Sequence, residues 1–164
     1  MTTDTDISIR IASVDDADQI HVLLLELADL LGDQEKVSST SQDIRDALMS
    51  KEPAVHVLLA ERGDKAIGVA IFFLTFSTWR GSNGVYLQDI YVRPGKREAG
   101  SGKKLLSKLA EWAAAQGADH MRLAVDVDNV AAQSFYRHVG MSVRDDEMIF
   151  QITGRDFLRL GKQG

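Results

Sequence analysis

The chain has 164 residues, 45% of them hydrophobic, which is enough for one packed core and too little for a second. Its formal charge of −5 argues against nucleic-acid binding, which needs a basic face, and leaves a surface that tolerates or attracts cations. Cysteine is absent, which excludes disulfides, thiolate metal sites and a Cys nucleophile and fits a reducing, cytoplasmic setting. The first residues are acidic and polar rather than basic then apolar, and no apolar run approaches the roughly 20 residues that span a bilayer. A soluble protein with no membrane or nucleic-acid partner is expected.

In chain order, Ile7, Ile9 and Ile11 alternate with Ser8 and Arg10 as a short half-buried strand. Ser13, Val14, Asp15 and Asp16 read as a capping box, and Ile20, Leu23, Leu24, Leu27 and Leu31 follow at helical spacing until Gly32 stops the helix. Thr40 and Asp43 open a second helix with Ile44, Ala47 and Leu48 inward, closed by Pro53. Strands are predicted over 55–61 and 66–76, joined at Gly63 and Asp64, and over 85–92 after the turn from Gly81 to Gly84. A helix over 101–116 buries Leu105, Leu109, Trp112 and Ala113. A strand over 121–127, a short helix over 130–139 and a closing strand over 141–153 complete the order. Hairpins in the first half and crossovers in the second predict one α/β domain, residues 1–164, with a mixed, mostly antiparallel twisted sheet and helices on both faces.

The strand over 85–92 runs into Arg93, Pro94 and Gly95, then into Arg97, Glu98, Ala99, Gly100, Ser101, Gly102 and Lys103, and then into the long helix. Glycines admit a ligand close to the backbone, the helix leaves its first amides unpaired, and Arg97, Lys103 and Lys104 add positive charge. Together these suit a pyrophosphate. On the glycines alone, a plain strand-to-helix turn with solvated lysines reads equally well. A Walker A loop is excluded, because it needs glycine at Arg97 and Ser or Thr at Lys104. A dinucleotide fingerprint fails too, since its third glycine would fall at Leu105.

The pattern Arg97-x-x-Gly100-x-Gly102 resembles the Arg/Gln-x-x-Gly-x-Gly/Ala loop of the GNAT N-acetyltransferase superfamily. Tyr86, Leu87, Gln88, Asp89, Ile90, Tyr91 and Val92 before it make the match specific, as do Asn129, Phe135, Tyr136, Gly140 and Met141 after it. The resemblance covers nearly the whole chain in element order. It is densest from Phe72 to Met141, where Ser77, Thr78, Trp79 and the strand Tyr86–Val92 look like the spermidine/spermine (diamine) branch.

The resemblance implies an acyl-CoA N-acyltransferase fold, acetyl-CoA as cofactor and direct transfer to a primary amine in a ternary complex. The acceptor would be a polyamine, diamine or related small amine. A protein or peptide amine, or a catalytically weak acyl-CoA-binding regulatory domain, is the alternative. It also implies pantetheine contacts at Ile90, Tyr91, Val92 and Asn129, pyrophosphate contacts at the amides from Arg97 to Lys103, and a homodimer. Asn129 or Asp128 reads equally as the N-cap of the helix that follows.

Tyr136 is the expected general acid, with an amphipathic packing tyrosine as the other reading. The branch carries a Glu-Asp pair where this chain has Gln88 and Asp89, and Gln88 cannot accept a proton at neutral pH. Side chains alternate along a strand, so Gln88 and Asp89 face opposite sides unless a bulge intervenes. Asp89 is then a substrate-side carboxylate or a structural one, and a water relay from either residue is the working mechanism. Trp79 would wall the amine site or pack in a loop. Glu26, Asp29, Asp33 and Glu35 would hold a second ammonium or form a solvated helix face. His21, His56, His120 and His138 are scattered singly, so no metal is expected.

Overall fold

The structure is a computed structural model that describes residues 6–95 and 100–162. Two compact units divide the chain, one ending at Ala124 and the other beginning at Val125. In the first, a five-stranded sheet runs in the order β1 (Ile7–Ile11), β2 (His56–Arg62), β3 (Lys65–Ser77), β4 (Ser82–Val92) and β5 (Ala118–Arg122). The first three pairings are antiparallel and only β4 with β5 is parallel, which gives the mixed, mostly antiparallel sheet expected.

Helices α1 (Ala17–Leu31) and α2 (Ser41–Met49) start where the capping residues place them. Ser13 and Asp16 form a reciprocal capping box on a 3-10 turn, Val14–Asp16, that leads into α1, and Thr40 and Asp43 form another on α2. Gly32 ends α1 at φ 73°, a left-handed position that glycine takes without steric cost. Ile20 and Leu23 of α1 pack on Val57, Leu59, Val69, Ile71 and Tyr91, with Leu27, Ile44 and Leu48 completing that layer. Each fully buried Leu or Ile there contributes about 1.5–3 kcal/mol.

Helix α3 (Ser101–Ala115) covers the opposite face. Its Trp112 meets Phe72 at 5.1 Å and His56 at 4.8 Å between ring centroids, and its Leu105, Leu109 and Ala113 are buried. From Gly68 to Phe72, odd-numbered residues of β3 thus point to α1 and α2 and even-numbered ones to α3, while Ala66, beyond a register shift at Ala60/Glu61, lies on the α1 side. Among the described residues no helix is long and apolar enough to cross a membrane.

The second unit carries α4 (Val130–His138) and α5 (Gly154–Leu160). Two expectations are corrected. The strand expected over 121–127 pairs only over Ala118–Arg122, because the ladder with β4 ends at Tyr86↔Arg122. The closing strand expected over 141–153 does not form. Its apolar residues Met148, Ile149 and Phe150 are exposed, and Arg144 pairs locally with Asp146 and Glu147. Strand-like composition alone does not make a strand, which also needs hydrogen bonds to a partner strand.

Candidate active site

The centre of β4 is irregular. Ile71 of β3 faces Asp89 and Phe72 faces Leu87, so Gln88 is an extra residue opposite no partner. Such a bulge bends its strand and re-aims the side chains around it. Here it puts Leu87 with Phe72 on the α3 side and Asp89 with Ile71 on the α1 side. Phe73 and Tyr86 face each other one step along that second side, stacked at 5.1 Å between centroids. A half-buried carboxylate therefore stands beside an aromatic pair, and burial pushes its pKa up from the ordinary aspartate value. Gln88 itself is exposed.

Beyond the bulge the β3–β4 ladder continues to Gly68↔Val92, whereas the β4–β5 ladder has already stopped at Tyr86↔Arg122. Ile90, Tyr91 and Val92 lie in that stretch of β4. Tyr91 and Val92 are buried, and the Tyr91 hydroxyl donates to Glu26 of α1.

Past Gly95, helix α3 opens at Gly100, the N-cap, with φ 66° and no side-chain cap. No acidic residue occupies its first turn, and Lys103 and Lys104 are exposed there. Ser101 is fully buried. Arg97, Glu98 and Ala99 lie outside the described residues.

Asn129 and Tyr136 belong to the second unit, and Gln88, Asp89 and the described loop residues belong to the first. Asn129 Oδ1 accepts from the amide of Ala132 at 3.1 Å and so caps α4. Tyr136 is half-buried, with its ring 5.3 Å from that of Phe135.

Trp79 is fully exposed on the turn joining β3 to β4. The stretch of β4 from Ser82 to Asp89 is roughly 20 Å long, so the fold does not bring Trp79 to Asp89. Near that turn Asp119 accepts from Ser82 Oγ at 2.9 Å and Arg80 at 3.4 Å, and it pairs with His120 Nδ1 at 2.7 Å. The His120 ring fills the space beside Gly84 that any side chain would occupy. Glu26 is taken by Arg93, Asp33 pairs with Lys36, and Asp29 accepts from Gln34. Among the described residues, no three His, Asp or Glu side chains cluster as a metal site.

Sequence reasoning missed the Phe73–Tyr86 pair and the Glu26–Arg93 pair. The first depends on the bulge, which no residue announces. The second joins positions 67 apart, with no local pattern to mark it.

The model of the acetyltransferase (GNAT) family matches residues 24–141. The chain belongs to the GNAT acetyltransferase family. It is 35% identical to the thialysine N-epsilon-acetyltransferase of Bos taurus over 82% of this chain and 83% of that one. The enzyme of the same name from Caenorhabditis elegans is 32% identical over 85% and 88%. In structure it is similar to an integron cassette protein of V. cholerae, with a TM-score of 0.79, 22% identity and coverage of 96% and 98%. An aminoglycoside N-acetyltransferase in complex with CoA gives a TM-score of 0.73 at 19% identity, covering 90% and 95%.

This GNAT protein is therefore an N-acetyltransferase of a family whose acetyl donor is acetyl-CoA. Its described residues fit that donor. The left-handed Gly100, the α3 start without a side-chain cap or an acidic residue, and the two exposed lysines suit a pyrophosphate. The early end of the β4–β5 ladder suits the amides of a pantetheine arm lying against a strand edge.

Proposed function

We propose that this acetyltransferase transfers an acetyl group directly to the primary amine of a small substrate, an amino acid with a side-chain amine or a related diamine or polyamine. The observation that carries this reading is Asp89, a half-buried carboxylate beside the stacked Phe73 and Tyr86 at the β4 bulge. A carboxylate with an aromatic wall suits an alkylammonium. Relatives named for thialysine and, over 53% of this chain, for L-ornithine of Arabidopsis thaliana support the substrate class.

When bound, acetyl-CoA supplies a thioester carbonyl open to attack by a neutral amine. An alkylammonium with a pKa of ~10.4 costs roughly 4–5 kcal/mol to deprotonate at neutral pH. Asp89 orients the ammonium and passes its proton to water, aided by a pKa above that of an ordinary carboxylate. Gln88 positions that water without taking the proton. Tyr136 donates a hydrogen bond or proton toward the departing sulfur. Full transfer from tyrosine at pKa ~10 to a thiolate at ~8.5 is uphill by roughly 2 kcal/mol, so the hydrogen bond carries much of the effect.

In this reading both units form one catalytic domain, supported by a family match that runs across their boundary. Amides from Arg97 to Lys103 hold the pyrophosphate, while Ile90, Tyr91, Val92 and Asn129 hold the pantetheine. The protein acts as a cytoplasmic homodimer.

Thiol release with acetyl-CoA and an amine panel tests the proposal: thialysine, ornithine, lysine, spermidine and an N-terminal peptide. Turnover on side-chain amines of small substrates is expected. Acetyl-CoA binding with no turnover on any amine would overturn it in favour of an acyl-CoA-binding regulatory domain, the reading that Gln88 in place of a glutamate favours.

A further inference from the structure

Arg93 is the residue at which the chain leaves β4 for α3, and all three of its guanidinium nitrogens are engaged inside the protein. Nε donates to both carboxylate oxygens of Glu26, at 2.9 and 3.2 Å, and Nη2 donates to one of them at 2.8 Å. Nη1 donates to the carbonyl of Ala66 at 2.7 Å. The Arg93 amide donates to the carbonyl of Ile67 at 2.9 Å. Glu26 also accepts from the Tyr91 hydroxyl. One residue is thus tied to α1 and to the start of β3, and its carboxylate partner reaches back to β4.

The two side chains are each about one-third exposed, at 35%. They are dry enough for the two-pronged geometry to hold and wet enough that desolvation does not dominate. The next residue is Pro94, whose ring fixes φ, and then comes Gly95 at φ 75°. The position Arg93 adopts therefore sets the direction in which the chain leaves β4 through Pro94 and Gly95.

We infer that the Glu26–Arg93 pair is a clamp that sets where the phosphate-binding loop begins, and so controls affinity for the pyrophosphate of CoA without touching it. Arg93 is the first basic residue of the segment, yet it is a positioning residue rather than a phosphate ligand. The inference rests on the CoA reading of the loop. A structural ion pair alone would change stability; this clamp changes which part of the cofactor is held.

Titration calorimetry with CoA and with pantetheine, which lacks the pyrophosphate, separates the two roles. Arg93→Lys keeps the charge and loses the planar fork. Glu26→Gln leaves Arg93 and its bonds to β3 in place, so a folding defect in one variant does not decide the matter. Both variants are expected to weaken CoA roughly tenfold and pantetheine by less than about twofold. Unchanged CoA affinity in both, or an equal loss for pantetheine, would overturn the clamp. A wild-type protein with no preference for CoA over pantetheine would sink the cofactor reading itself and the inference with it.

Discussion

Holding the Asp89 carboxylate half out of water beside Phe73 and Tyr86 disfavours its charged form, and its pKa rises. The folded state then binds a proton that the unfolded chain has already lost, so the group favours folding at acid pH. That contribution fades as pH rises through the folded pKa. Asp89→Asn is therefore expected to raise Tm at pH 7, with the gain shrinking toward pH 4, while turnover on any amine falls. A Tm gain independent of pH would show that the charge is not the cause. Tyr136→Phe removes only a hydroxyl, so kcat is expected to fall roughly 100-fold with the Kd for CoA nearly unchanged. Steady-state rates and calorimetry check both halves, and an unchanged rate removes Tyr136 from the mechanism. The motifs around Asp89 and Tyr136 single both out in the sequence, and these substitutions test the roles proposed for them. The aromatic wall was not legible there, since strict alternation puts Asp89 and Tyr86 on opposite faces and only the bulge unites them.

At the scale of elements, the start of the fold is held by one arginine. Arg10 of β1 gives two bonds of 2.8 Å to Asp16 and bonds of 2.7 and 3.1 Å to Glu61 of β2. Asp16 also accepts from the Ser13 amide, and the Arg10 guanidinium holds its pKa down to about 2. A depressed aspartate stabilises the fold above its ordinary pKa near 3.8 and loses that contribution as pH falls toward 2. Asp16→Asn is expected to cost about 1–2 kcal/mol at pH 7 and almost nothing near pH 2, the full shift being discounted because Arg10 is 42% exposed. Urea melts across that range would check it.

In β3, a methyl group on Gly68 would sit 2.9 Å from the Tyr91 carbonyl and 3.0 Å from Val92 Cγ2. Backbone gives way poorly, so Gly68→Ala is expected to cost about 1–3 kcal/mol in thermal or urea unfolding. An unchanged midpoint would mean that β4 shifts freely. The capping boxes at Ser13 and Thr40, and the start of α3 at Ser101, were readable because local chemistry decides them. The segment over 141–153 was not, because pairing depends on an edge elsewhere.

For the molecule as a whole, the cofactor site should register as stability. A ligand that binds only the folded state adds about 2.7 kcal/mol at a concentration 100 times its Kd, which raises Tm by several degrees in a chain of this size. CoA is expected to do so in the wild type. Gly100 carries the contrast, and for a reason the sequence did not show: among the described residues nothing lies within 4 Å of where its side chain would point, so their bulk alone does not close the site. Its φ of 66° strains any side chain, and a carboxylate there stands at the start of α3, where a pyrophosphate and the helix amides are expected to meet. Gly100→Glu should therefore fold with a modestly lower Tm and show no further rise with CoA, while Gly100→Ala keeps most of the CoA shift. Equal shifts in wild type and Gly100→Glu would place the phosphates elsewhere on the molecule.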